Sequence, residues 1–123
     1  PEGKGWFFEP TLFANVDIDM KVFKEEVFGP VASVFKVKSE EEAIRFANQS
    51  EFGLGGCVWT QDLEKGKRFA RDLECGSTFV NSYVKSDPRV PFGGIKKSGL
   101  GRELSHYGLK EFTNLKAYNV YKG

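Results

Sequence analysis

The stretch CVWTQDLEKGKRFARDLECGSTFV, residues 57–80, decides the fold. Cys57-Val58-Trp59-Thr60 is a short β-branched and aromatic run, and Thr78-Phe79-Val80 is a second one, so each reads as a strand. Between them Leu63, Gly66, Ala70 and Leu73 recur at helical spacing with Phe69 beside them, while Lys65, Lys67, Arg68, Arg71 and Asp72 point outward. Asp62 is a good N-cap because its carboxylate can accept from the free amides of a first turn. The helix is expected from Leu63 to about Glu74, with Gly76 as its C-cap. A strand, a helix and a strand joined this closely form a crossover unit and pair in parallel.

Working outward, Val31, Val34, Phe35 and Val37 make another strand-length run, ended by Lys38-Ser39. Ser39 followed three places later by Glu42 is a capping box, and Ala43, Ile44 and Ala47 form the buried face of the helix it opens. Before these, Trp6-Phe7-Phe8-Glu9-Pro10-Thr11-Leu12-Phe13 is extended, and Pro10, which cannot donate to a ladder, places it at an edge. Residues 17–26 carry spaced apolar side chains for a helical turn that must stop ahead of Gly29-Pro30. On the far side, residues 81–100 lose periodicity and collect Pro88, Pro91, Gly93, Gly94 and Gly99, which is long for a plain connector and typical of a functional loop. A helix from about Arg102 to Phe112 and a strand, Ala117 to Tyr121, complete the pattern. The fold class is α/β, three-layer, with a mostly parallel sheet and crossover helices.

Composition narrows the function. With 40% hydrophobic and 15% aromatic residues the chain can bury a core, and 123 residues fit one ordinary domain. Lys and Arg number 18 against 17 Asp and Glu, interspersed, so there is no electrostatic case for nucleic acid or an anionic membrane. The apolar runs fall well short of the ~20 residues a spanning helix needs. Pro1-Glu2-Gly3-Lys4-Gly5 has neither an initiator Met nor a leader's apolar stretch, and the chain is expected to begin in mid-protein. Two cysteines do not frame a secreted disulfide fold, which favours a reducing, cytoplasmic setting.

Two segments carry a resemblance: Glu25-Glu26-Val27-Phe28-Gly29-Pro30, and Pro91-Phe92-Gly93-Gly94-Ile95-Lys96-Lys97-Ser98-Gly99-Leu100-Gly101-Arg102-Glu103. Together with Phe52-Gly53-Leu54, residues 76–81 and Tyr107-Gly108-Leu109, in this order and spacing, they resemble the C-terminal part of the aldehyde dehydrogenase superfamily over essentially the whole chain. The resemblance implies that residues 1–114 are the distal part of a catalytic domain. It also implies that residues 115–123 are an oligomerisation strand, pairing through Ala117 to Tyr121 with a neighbouring subunit in a homo-oligomer. NAD or NADP is the implied cofactor, an aldehyde the implied substrate, and the rest of a longer enzyme the implied partner.

Within that resemblance Glu26 hydrogen-bonds the nicotinamide ribose, as suits an ionised carboxylate facing a diol with two donors. Phe28 contacts the nicotinamide ring, and Phe92 lines the aldehyde tunnel. Ser86 falls where succinate-semialdehyde dehydrogenases place a serine that holds the distal carboxylate of the substrate. A hydroxyl donor there tilts the substrate toward succinate semialdehyde or a similar ω-carboxylated aldehyde. Arg89 is no demonstrated substitute for the arginines that accompany that serine. Gly93, Gly94, Gly99 and Gly101 read as positions of unusual backbone angle or close chain approach, ahead of a phosphate cradle at a helix start near Gly101-Arg102.

The reaction so implied needs a Cys nucleophile and a Glu base, and neither motif is found in this chain. Cys57 and Cys75 read as packed small hydrophobes and His106 as structural, so no catalytic residue and no metal ligand is assigned. The chain by itself is expected to be inactive. A reading from another class is a non-catalytic α/β nucleotide-binding module, which the lack of a dinucleotide fingerprint disfavours.

Overall fold

The computed structural model describes residues 3–123; Pro1 and Glu2 of the opening segment lie outside them. The chain divides into two compact units, residues 1–51 and 52–123.

The first unit holds β1 (Thr11–Phe13), α1 (Lys21–Lys24), β2 (Val31–Ser33) and α2 (Glu40–Asn48). β1 and β2 pair in parallel, Thr11 opposite Val31 and Phe13 opposite Ser33. The amide of Thr11 donates to the Pro30 carbonyl at 2.8 Å and that of Val34 to Phe13 at 2.8 Å. Both strands are shorter than the apolar runs that announce them, because a strand extends only as far as its partner's backbone continues alongside. α1 is one turn, and Phe23 on it meets Phe35 edge to face at 5.2 Å.

The capping box forms with one displacement. Ser39 Oγ accepts from the amide of Glu42 at 3.2 Å, whereas the Glu42 carboxylate reaches past Ser39 to the amide of Lys38 at 2.6 Å. Glu40, Glu41 and Glu42 all sit in the first turn, where the helix dipole favours negative charge. Ala43 and Ile44 are half-buried as expected; Ala47 is exposed, and Phe46 takes the covered place.

The second unit holds β3 (Phe52–Gly53), β4 (Gly55–Val58), α3 (Leu63–Asp72), β5 (Ser77–Val80), β6 (Ile95–Lys96) and α4 (Ser105–Glu111). The deciding stretch forms a parallel unit: β4 pairs with β5 from Gly55 opposite Ser77 to Val58 opposite Val80. Asp62 caps α3, its Oδ1 accepting from the Lys65 amide at 3.0 Å, and this bond holds its carboxyl below the ordinary aspartate value. Gly66 is buried where α3 crosses the strands: a Cβ there would lie 2.6 Å from Val80 Cγ1 and 3.1 Å from Thr60 Cγ2.

Several expectations change. In place of the expected mostly parallel three-layer sheet, the described residues form three separate two-stranded ladders, two parallel and one, β3 with β6, antiparallel. Gly76 is not the C-cap of α3. The helix ends at Leu73 in extended geometry, and Gly76 is instead a point of close approach, where a Cβ would collide with the Gly93 carbonyl. α4 starts at Ser105 rather than near Arg102, because Leu104 and Ser105 take positive φ of 63° and 54°. Residues 117–121 form no strand in the isolated chain, since a strand needs a ladder partner and none faces them among the described residues.

The expected core is nearly missing. Among the described residues Val16, at 8% exposure, is the one buried apolar side chain. The accessible surface is 10486 Å² for 13.8 kDa. Even two independent globules sharing that mass would expose only about 8,000 Å².

Candidate functional site

The carboxylate-aromatic pair sits on the segment between α1 and β2. Glu25, the C-cap of α1, is already extended, and no regular element forms over residues 26–28, so residues 25–28 run out as an open segment. Glu26 is exposed, and its carboxylate has no ion pair or hydrogen bond among the described residues. Phe28 is 91% exposed, an apolar ring left without cover. A free acceptor and a bare ring two residues apart fit a ligand offering hydroxyl donors and a flat face.

Ser86 and Phe92 lie on the long loop of the second unit. Their placement relative to each other is set by two anchors. Phe92 and Glu103 form an antiparallel bridge, with amide-to-carbonyl distances of 2.9 and 2.7 Å. Arg102 folds back over the glycine-rich loop this closes, its Nη1 donating to the carbonyls of Gly94 at 2.9 Å and Gly101 at 2.6 Å. Ser98 Oγ accepts from the amide of Gly53 at 2.9 Å and ties the loop to β3. Gly101 has φ of 68°, a region that favours glycine, and a Cβ there would press on the end of the flexible Glu111 side chain. The Gly101-Arg102 segment is not a helix start, which removes the geometry of the phosphate cradle weighed above. The half-buried Phe92 ring lines a shallow pocket of about 280 Å³ with Leu100 and Phe112.

The second anchor follows Ser86, and sequence reasoning missed it. Asp87 Oδ1 accepts from the Arg89 amide at 2.9 Å, the geometry of an Asx turn. The Arg89 guanidinium grips both oxygens of the same carboxylate, Nε at 2.9 and 3.2 Å and Nη2 at 2.6 Å. This clasp drives the Asp87 carboxyl far below the ordinary carboxylate range and raises Arg89. Asp87 directly followed by Pro88 in an irregular stretch is the signal that could have revealed the turn. Asn81 was also overlooked: at φ 55° its side-chain amide pairs with the backbone of Thr60, accepting from N and donating to O at 2.8 Å each.

Cys75 is not poised as a nucleophile. Cys75 donates to the Ser77 carbonyl at 3.3 Å, and desolvation pushes its pKa up, against thiolate formation. Cys57 is exposed, contrary to the expected packed position. His106 is exposed and stacks at 4.1 Å on Tyr107. Among the described residues no group of three His, Cys, Asp or Glu could hold a metal ion, and no helix is long and apolar enough to cross a membrane.

Comparison with known proteins agrees with the motif order. The aldehyde dehydrogenase family pattern matches residues 1–118. The chain is 50% identical over 116 residues to an aldehyde dehydrogenase of Paenarthrobacter nicotinovorans, covering 94% of this chain and 25% of the relative. It is 51% identical over 113 residues to a protein of Escherichia coli strain K12 named succinate semialdehyde dehydrogenase (NAD(P)+) Sad, covering 92% and 24%. Among solved structures, the NAD+ complex of an aldehyde dehydrogenase from Bacillus cereus superposes with a TM-score of 0.88 at 44% identity, covering 94% of this chain and 24% of that one. The chain thus spans about a quarter of the length of the curated relatives it matches. With the family pattern running over nearly its full length and an α/β fold shared with solved members, this chain belongs to the aldehyde dehydrogenase family.

Proposed function

We propose that this chain supplies the nicotinamide-riboside contacts and part of the aldehyde pocket of an NAD(P)-dependent aldehyde dehydrogenase. The single observation that carries the reading is the uncovered pair Glu26 and Phe28 on one open segment. The Glu26 carboxylate accepts from the ribose hydroxyls, and the Phe28 ring packs on the nicotinamide face and orients it. The bound cofactor accepts the hydride of the aldehyde. Phe92 gives the aldehyde side an apolar wall that keeps water away, and Ser86 donates to the distal carboxylate of an ω-carboxylated aldehyde such as succinate semialdehyde. The name of the Escherichia coli relative supports that substrate.

The thiol that attacks the aldehyde and the carboxylate that activates water come from outside this chain: neither Cys57 nor Cys75 lies in the family's nucleophile motif, and desolvation holds the Cys75 thiol up. The chain alone is therefore inactive. The remainder of the enzyme covers the outward-facing apolar side chains, and residues 117–121 add a strand to a sheet of a second subunit.

In the intact enzyme that contains this segment, Glu26→Gln removes a charge-assisted acceptor. It should lower kcat/KM for the dinucleotide at least about tenfold while changing the aldehyde KM little. Steady-state kinetics with varied NAD+ and NADP+ measures this; an unchanged dinucleotide kcat/KM refutes the assignment.

A further inference from the structure

We infer that Asp87 is a positioning residue for substrate selection, fixing the turn that presents the Ser86 hydroxyl; this rests on the reading of Ser86 as the carboxylate donor. The turn is held from three directions. Asp87 Oδ1 takes the Arg89 amide at 2.9 Å, the Val90 amide donates to the Asp87 carbonyl at 3.1 Å, and the Ser105 amide donates to the Pro88 carbonyl at 3.0 Å. The last of these ties the turn to the head of α4, where two non-glycine residues hold left-handed angles to place that amide. Ser86 immediately precedes this tied segment, and its own hydroxyl has no partner among the described residues, so its direction follows from the backbone that Asp87 sets.

The clasp also decides the role of Arg89. Its guanidinium spends Nε and Nη2 on Asp87, and the carboxylate offsets its charge, so it is a strut for the turn rather than an independent cation for substrate. A carboxylated substrate is then selected by the aimed hydroxyl, and geometry matters more than net charge at this position.

The test compares Ser86→Ala, Asp87→Ala, Asp87→Asn and the double variant Ser86→Ala/Asp87→Ala in the intact enzyme, with succinate semialdehyde and propanal as substrates. Asp87→Ala should raise KM for succinate semialdehyde on the order of tenfold, the scale of one lost hydrogen bond to a charged group, while kcat and the propanal KM stay within about twofold. Asp87→Asn keeps the Oδ1 acceptor for the Arg89 amide and should recover most of the loss. The double variant should be no worse than Ser86→Ala, because the two residues act through one contact. If Ser86→Ala is selective for the carboxylated aldehyde and Asp87→Ala is not, the positioning role falls and the substrate reading stands. If Ser86→Ala affects both aldehydes equally, the substrate reading falls and takes the positioning role with it. If both Asp87 variants impair both aldehydes alike, the turn serves folding alone and the inference is overturned.

Discussion

Gly66 illustrates a residue whose identity is set against its own local preference. Inside a helix, glycine costs about 1 kcal/mol relative to alanine. The Cβ of an alanine would press on Val80, whose β-branched side chain has little freedom to turn aside. Overpacking of this kind costs about 1–3 kcal/mol, so the clash outweighs the helix gain. Gly66→Ala should therefore lower the stability of the enzyme by up to about 2 kcal/mol, read as a lower melting temperature; a rise would show that α3 can move off β5 freely. At Gly76 the obstructing atom is a backbone carbonyl, which cannot rotate away, so Gly76→Ala should be worse than Gly66→Ala by the same measurement.

At the level of elements, α3 depends on one exposed carboxylate. Asp62 has its pKa lowered chiefly by the bond from the Lys65 amide. A depressed folded-state value means the contribution to stability is present above the unfolded aspartate value of about 3.9 and is lost as pH falls through the folded value. Asp62→Asn retains a capping oxygen that does not titrate. The variant should therefore lose less of its α3 stability than the native protein as pH falls from about 5 into the acid range below the ordinary aspartate value. Amide hydrogen exchange in residues 63–72 against pH reports the difference; parallel curves would remove Asp62 from the acid response. Both caps, Ser39 and Asp62, could be recognised beforehand, because a cap and its amide lie within four residues of each other. Strand lengths could not, since the extent of β1 and β2 is set by a partner some 20 residues away in the chain, as in Thr11 opposite Val31.

For the molecule as a whole, apolar side chains outnumber the places available to hide them. Trp6, Leu100, Phe112 and Leu115 are each exposed, and burying such groups is what ordinarily offsets chain entropy. The proposed remedy is contact with the rest of the enzyme and with a second subunit. Removing residues 115–123 from the intact enzyme should lower its oligomeric state, as read by light scattering; an unaltered assembly would place the subunit contact elsewhere.

Within residues 57–80, helical spacing, an acidic cap and flanking β-branched runs are short-range features that announced the parallel unit of β4, α3 and β5, although β4 lies at Gly55–Val58 rather than over residues 57–60, Leu63 stays exposed and Gly76 is no cap. The exposure of Glu26 and Phe28 between α1 and β2 fits the motif reading that proposes them as a pair. Only the tertiary structure decided that Gly76 meets Gly93, that Ala47 faces outward, and that α4 begins at Ser105. The physical reason is range. Capping and periodicity act within a turn or two of backbone, whereas close approach, burial and strand pairing depend on which distant segment arrives alongside.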